Sequence, residues 1–334
     1  MKHLGVVLDV SRGEFDKGAT AMGSIFLNIG DTNKWYLFYT GAVDTKWSRT
    51  NIGLATSKNG IEFVKNSEDP LLEADHGHFP CTQALNPAVV RVNNRFYMIF
   101  SGKFVSTSSR KLGIAYADDP KGPWQTIGEL IKPTYFWEGR NIDNGCSVVK
   151  LDDETLLLYY SSLMSPKTYD VFSFLRRYPI RRIGILKVRI HGTSPSEIEA
   201  MRFSGNPLKH LNGHKSSWHE SVFCPGYVKL NNTHYLFPAA STYSVGFPYK
   251  QYIALVTSCS PYFNPQETSK PAKLIDGPLE KTKIIPDIKG EIALDTPSPY
   301  FDAENNKLFL YYSAADRVNG IWKTALTTFD LTAN

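Results

Sequence analysis

Apolar residues along this chain come in short runs that alternate at period two. Gly, Asn, Asp or Pro interrupts them every few residues, which is the pattern of strands joined by tight turns. The runs repeat. Aromatic strands at 35–41, 96–102, 156–161, 235–241 and 308–313 each end in small residues. A loop and a second strand follow each of them, at 52–57, 112–117, 183–188, 252–257 and 321–326. Another apolar strand precedes each, at 24–27, 87–92, 147–151, 226–230 and 298–301. Turn signals such as Asn93-Asn94, Asp152-Asp153, Asn231-Asn232 and Asn305-Asn306 join these pairs. A fourth short extended piece comes after several copies, as at Ile61 to Phe63 and Trp124 to Thr126.

Five like copies of about four strands, with no helical layer, predict an all-β chain closed as a five-bladed β-propeller. Ser194 to Met201 is the one stretch with helical spacing. Blades stack face to face, so strands apolar on both sides are expected beside strictly alternating ones. A two-sheet sandwich is the rival closure, but it does not call for five like repeats. No linker or composition break divides the chain, so residues 1–334 are expected to form a single domain. The first blade is short, and a strand from one terminus is expected to complete it as the ring closes.

Composition narrows the function classes. The 42% hydrophobic and 21% charged content is that of a soluble globular protein, and no run approaches a membrane span. The net charge of +5 is scattered and gives no case for a nucleic-acid partner. One basic cluster, Arg176, Arg177, Arg181 and Arg182, reads either as a solvated loop or as an anion site. Cys81, Cys146, Cys224 and Cys259 lie far apart with no C-x-x-C spacing, which suits free thiols rather than a zinc site or a disulfide framework. The start of the sequence lacks a leader pattern, so a cytoplasmic location is expected. No metal or other cofactor is expected. Aromatic residues make up 13% of the chain, enough to supply stacking platforms for sugars.

The richest stretch for chemistry runs from Trp137 through Glu138, Arg140 and Asp143 to Cys146, directly into the apolar strand 147–151. It holds two carboxylates, a guanidinium, an amide and an indole at the head of a strand. The run at 35–41 followed by Ile52-Gly53-Leu54-Ala55-Thr56-Ser57 and on to Phe63 resembles the five-bladed propellers of glycoside hydrolase families 43, 32 and 130. That resemblance extends over essentially the whole chain and is specific for the superfamily rather than for one family. No Glu-Asp-Pro-Arg run of family 130 is present, and the length leaves no room for the added sandwich of family 32. A divergent relative of family 43 fits best.

The resemblance implies a glycosidase with a general-base Asp on blade one, an auxiliary Asp on blade three and a general-acid Glu on blade four. Asp143 follows Ile142 as in the family's Ile-Asp. Glu220 lies upstream of Phe223-Cys224-Pro225, where the family's Glu stands immediately before a small residue and Pro. Asp16 lies upstream of Ala21-Met22-Gly23, where the family has Asp-Pro. Inverting hydrolysis needs an acid over the leaving oxygen and a carboxylate over a water, about 6.5–9.5 Å apart. Asp16, Asp143 and Glu220, on blades facing a common pocket, suit that need.

Each of these also has an ordinary alternative role as a turn-capping carboxylate. Glu138 is a substitute acid or a partner that holds Arg140, and Asp295 is a further rim carboxylate. Arg140 is placed to orient Asp143 or to grip an acidic sugar. Trp137 and Trp218 are sugar platforms or core residues, His78 and His219 are donors to sugar hydroxyls or satisfied structural histidines, and Asn86, where many relatives have Asp before Pro, is expected to supply an amide to the pocket. A carbohydrate substrate is therefore expected. The competing classes are a glycoside phosphorylase and a propeller that binds glycan or protein without chemistry.

Overall fold

The computed structural model describes residues 1–331 apart from 12, 14, 29, 33, 75–80, 105–108, 164–179, 243–249, 289 and 317. Strand dominates, and among the described residues it falls into five antiparallel groups. The first holds β2 (Ala19–Leu27), β3 (Trp35–Ala42), β4 (Thr50–Ser57) and the short β5 (Val64–Lys65). The second holds β6 (Cys81–Val92), β7 (Arg95–Phe104), β8 (Arg110–Ala117) and β9 (Gln125–Ile131). The third holds β10 (Asn141–Lys150), β11 (Thr155–Leu163), β12 (Arg181–Ile190) and β13 (Ile198–Arg202). The fourth, a separate sheet, holds β14 (Ser221–Leu230), β15 (Thr233–Ser241), β16 (Gln251–Ser258) and β17 (Ala272–Asp276).

The fifth group holds β18 (Ile292–Asp302), β19 (Lys307–Asp316) and β20 (Trp322–Asp330), and it is completed by β1 (Lys2–Leu8). That strand runs antiparallel to β20, from Lys2 opposite Thr328 to Leu8 opposite Thr324. The borrowed terminal strand thus serves the last group, whereas the expectation gave it to the first; β5 already edges the first. The helical expectation at 194–201 is also corrected. There a 3₁₀ turn, Pro195–Glu197, leads into β13, because Ser194 and Glu197 form a capping box and Ile198, Ala200 and Arg202 then alternate along a strand. The one α-helix among the described residues is α1 (Gly277–Ile284), started by Asp276 accepting from the Leu279 amide.

Successive groups touch through single parallel pairs, Ala19 with Trp322, Thr50 with Gln83 and Arg110 with Asn141. The first strands of the groups contact one another in order, and β18 returns to contact β2. Those contacts are close. A Cβ on Gly145 would stand 2.5 Å from the Pro225 carbonyl oxygen, and one on Gly226 would stand 2.2 Å from that of Pro297. Side chains fill the spaces between groups. Tyr36, Leu37, Phe38 and Tyr39 of β3 are all fully buried, on both faces of the strand. Phe26 meets Phe96 edge-on at 5.5 Å, and Trp35 meets Tyr300 at 4.7 Å and Phe309 at 4.9 Å. Burying a side chain of this size stabilises by about 1.5–3 kcal/mol each, so the stacking of groups contributes to stability as well as to shape.

Candidate active site

Each first strand breaks its ladder at one equivalent place. Register shifts fall between Ala21 and Ser24, Leu85 and Ala88, Asn144 and Val148, Phe223 and Gly226, and Asp295 and Ser298. At four of these bulges a non-glycine residue takes positive φ: Met22 at 50°, Asn86 at 53°, Cys224 at 44° and Thr296 at 46°. Bulges re-aim side chains and free backbone groups from the ladder. The freed amide is then satisfied by the neighbouring group. Met22 N–H donates to Ser313 Oγ at 2.7 Å, Asn86 N–H to Thr40 Oγ1 at 3.0 Å, and Asn144 N–H to Ser101 Oγ at 2.7 Å. Cys224 N–H donates to Ser161 Oγ.

The fifth junction differs. Residues preceding the bulge pair with Thr40, Ser101, Ser161 and Ser313 in four groups, but in the fourth group Phe223 pairs with Ala239. Alanine has no hydroxyl to offer the next bulge. The Thr296 amide instead donates to Asp295 Oδ1 at 2.7 Å, and the Thr296 hydroxyl reaches the same oxygen at 3.2 Å.

The residue before each amide turned out of the ladder (those of Met22, Asn86, Asn144, Cys224 and Thr296) is Ala21, Leu85, Asp143, Phe223 or Asp295, so two of the five equivalent positions carry a carboxylate. Both are nearly buried. Asp143 takes Arg110 Nη1 of β8 at 3.0 and 3.3 Å on its two oxygens, and among the described residues it has no other hydrogen-bond partner. Beside it, Asn86 and Asn144 exchange amide bonds, each donating through Nδ2 to the other's backbone oxygen at 2.9 and 3.0 Å. Arg181, the repeat counterpart of Arg110 at the start of β12, lies over the Phe223 ring at 4.6 Å. Burial raises the Asp295 carboxyl above the usual carboxylate range, against the opposing pull of Arg181 and of hydrogen bonds from Thr296 and Cys224.

Glu220 sits immediately ahead of β14 and is buried, with the Thr242 hydroxyl 3.1 Å from Oε2. Its backbone oxygen accepts from Asn212 Nδ2 at 2.9 Å. Half-buried Trp218 lies against His219 at 4.6 Å and edge-on to Tyr252 at 5.7 Å, with Lys273 Nζ 5.6 Å from its ring. Burial, then the nearby His214, holds His219 below the usual histidine range.

Asp16, Glu138 and Trp137 lie in different surroundings, each ahead of the first strand of its group. Asp16 is fully buried; it accepts from the Ser11 hydroxyl and from Tyr39 OH at 2.9 Å, and it pairs with Lys65 Nζ at 2.7 Å. Glu138 is just as buried and accepts from Tyr160 OH at 2.7 Å, Arg202 Nε at 2.6 Å and the amides of Thr134 at 2.7 Å and Tyr135 at 3.0 Å. Burial pushes Glu138 up, but Arg202 and those amides outweigh it and hold the group below its usual range. Both tyrosines are pushed up by burial and by the carboxylate beside them, so they remain donors.

These two brackets are copies of one device. The acid comes from the segment leading into a first strand, the tyrosine from the second strand and the cation from the outermost. His3, Glu280, Tyr312 and Thr327 build a looser version in the fifth group, with His3 Nε2 2.6 Å from Glu280. The glycines at 53 and 184 belong to it, since a Cβ there would stand 2.5 Å and 2.9 Å from the Tyr39 and Tyr160 rings. Trp137 fills the core against Tyr160 at 5.6 Å, away from solvent. Arg140 is exposed, and Arg110 takes the place beside Asp143 that was expected of it. His78 lies outside the described residues. Arg110, Arg181 and Asn144 were not singled out for the site from sequence. Arg110 and Arg181 each open the third strand of a repeat, a signal that aligning the five copies by register brings out.

No family model matches the sequence, and no curated protein matches it either. Solved structures do match in fold. A thermostable family-43 glycoside hydrolase is 16% identical, with a TM-score of 0.64 over 96% of this chain and 93% of that one. A chain described as a glycoside hydrolase gives 0.67 at 14% identity over 98% and 92%. A family-43 endo-arabinanase from Bacillus licheniformis gives 0.55 at 17% identity over 98% and 97%.

Proposed function

We propose that this chain is a glycoside hydrolase, built as a single five-bladed β-propeller over residues 1–334, that cleaves an oligosaccharide by carboxylate acid–base catalysis at the ring of bulges. The fold likeness to glycoside hydrolases supports the class. The observation that carries the reading is the state of Asp143. An ionised carboxylate offers about four acceptor sites. Arg110 Nη1 uses part of that capacity on Asp143, and the remainder is available to orient and deprotonate a water. Asp16 and Glu138, by contrast, are filled by their brackets. Asp143 is thus the base, and Glu220, buried at the head of β14, is a second carboxylate of the site.

A panel of aryl glycosides and oligosaccharides, assayed with and without phosphate, tests this. Turnover that Asp143→Asn lowers by at least about a hundredfold, in a variant that stays folded by circular dichroism, is the expected result. Equal turnover in the folded variant removes Asp143 from the mechanism, and a phosphate requirement reassigns the protein as a phosphorylase. One observation favours a second reading, a propeller that binds glycan without cleaving it: the first group offers Ala21 and Met22 at its bulge, with no carboxylate. Binding of oligosaccharide without turnover across the panel would decide for it.

A further inference from the structure

We propose that Asp295, on the fifth group, is the proton donor of this site. The inference rests on the hydrolase reading above and adds to it the identity of the acid.

Three features of the ring single out Asp295. Its position is the repeat equivalent of Asp143: each directly precedes the residue whose amide leaves the ladder, opposite Ser313 and Ser161 respectively. The two first strands, β10 and β18, also contact each other although a whole group lies between them in the chain. Finally, Asp295 stands at the one junction where the neighbouring group supplies Ala239 in place of a hydroxyl. Its Oδ1 fills that gap by accepting both the amide and the hydroxyl of Thr296. An oxygen that already takes the two Thr296 donors is the poorer place for a proton, so we assign the proton that Asp295 donates to Oδ2. The ring geometry anchors this carboxyl through Oδ1.

The surroundings agree. Asp295 is nearly buried, and burial favours the neutral form over the opposing influence of Arg181 from β12 and of hydrogen bonds from Thr296 and from Cys224 of β14. Asp143, its repeat equivalent, is instead paired with a guanidinium at 3.0 Å. Two carboxyl groups at equivalent positions, one pushed toward its neutral form by burial and one held by a guanidinium, is the arrangement from which acid and base roles follow.

The step balances. Asp295 Oδ2 gives its proton to the glycosidic oxygen as the C1–O bond breaks and its electron pair passes to that oxygen, which leaves as a hydroxyl. Water adds to C1 and surrenders its proton to Asp143. Solvent exchange then returns a proton to Asp295 and takes one from Asp143.

The test compares wild type, Asp295→Asn and Glu220→Gln on an unactivated oligosaccharide and on dinitrophenyl glycosides, whose leaving group departs without protonation. Asp295→Asn is expected to lose at least about a hundredfold on the first and far less on the second, while Glu220→Gln shows no such split. Equal loss on both substrates by Asp295→Asn, or the split appearing in Glu220→Gln, overturns the assignment. Infrared difference spectroscopy gives a readout that needs no turnover: wild type at neutral pH should show the carbonyl stretch of a protonated carboxyl, missing from Asp295→Asn. Turnover without that band sinks the donor role alone. The band without any turnover sinks the hydrolase reading and the donor role with it.

Discussion

Glu138 and Asp143 stand on the same run of chain leading into the third group, both buried and both beside an arginine, and they end in opposite situations. Arg202, Tyr160 and two backbone amides leave Glu138 nothing further to accept. Arg110 holds Asp143 by one nitrogen and leaves acceptor capacity over. The first is a clamp between the entry segment, the second strand and the outermost strand. The second is a group held in place with work still to do. Burial and charge partners alone do not separate them; the count of donors does.

Removing the clamp should produce the larger effect. Glu138→Gln leaves Arg202 part-buried without its counter-charge, for a loss of about 3–5 kcal/mol that urea unfolding would measure. Because the folded Glu138 titrates below its usual range, its contribution is present above the unfolded value near pH 4.3 and is lost as pH falls through the folded one. The melting temperature of wild type should therefore drop in that acid window, and Glu138→Gln should show less of the drop. Asp143→Asn also deprives Arg110 of its counter-charge but disturbs that one partner rather than four donors, so it should lower the melting temperature less than Glu138→Gln does while turnover falls. If Asp143→Asn unfolds as readily as Glu138→Gln, the two carboxylates are the same kind of residue and the contrast fails.

A smaller effect sharpens the comparison within the ring. Ser161→Ala strips the buried Cys224 amide of its acceptor and should cost about 1–3 kcal/mol in unfolding measurements. Ala239, which already lacks that hydroxyl, predicts that the fourth-to-fifth junction does not need one while Asp295 is in place. The smallest effect belongs to Arg140→Ala: the side chain is exposed, so stability should change by less than about 0.5 kcal/mol and turnover by less than about twofold. A large loss of turnover would return Arg140 to the place that Arg110 now holds.

The strands were legible because each copy carries its own period and its own turn residues, and these are local signals. Which carboxylates face the ring was not legible, because their partners are remote. Tyr39 and Lys65 come to Asp16, and Arg202 to Glu138, from strands laid down later in the chain. Arg110 reaches Asp143 from the preceding group. The bracket does leave a trace, since a tyrosine recurs at 39, 160 and 312 and a small residue faces it at 53, 184 and 325. Glu138 beside Trp137 and Arg140 looks like a polar site in sequence. Its indole is core, its arginine faces water and its own partner is on another strand.

The pairing of Lys2 with Thr328 carries a consequence in time. The strand that edges the last group is synthesised more than three hundred residues before its partner. At about 5–20 residues per second, β1 waits about 15–65 s as an unpaired edge while the rest of the chain is made. An exposed edge of that kind can pair with another chain. The nascent protein therefore depends either on something that covers β1 during synthesis or on a low local concentration of its own copies.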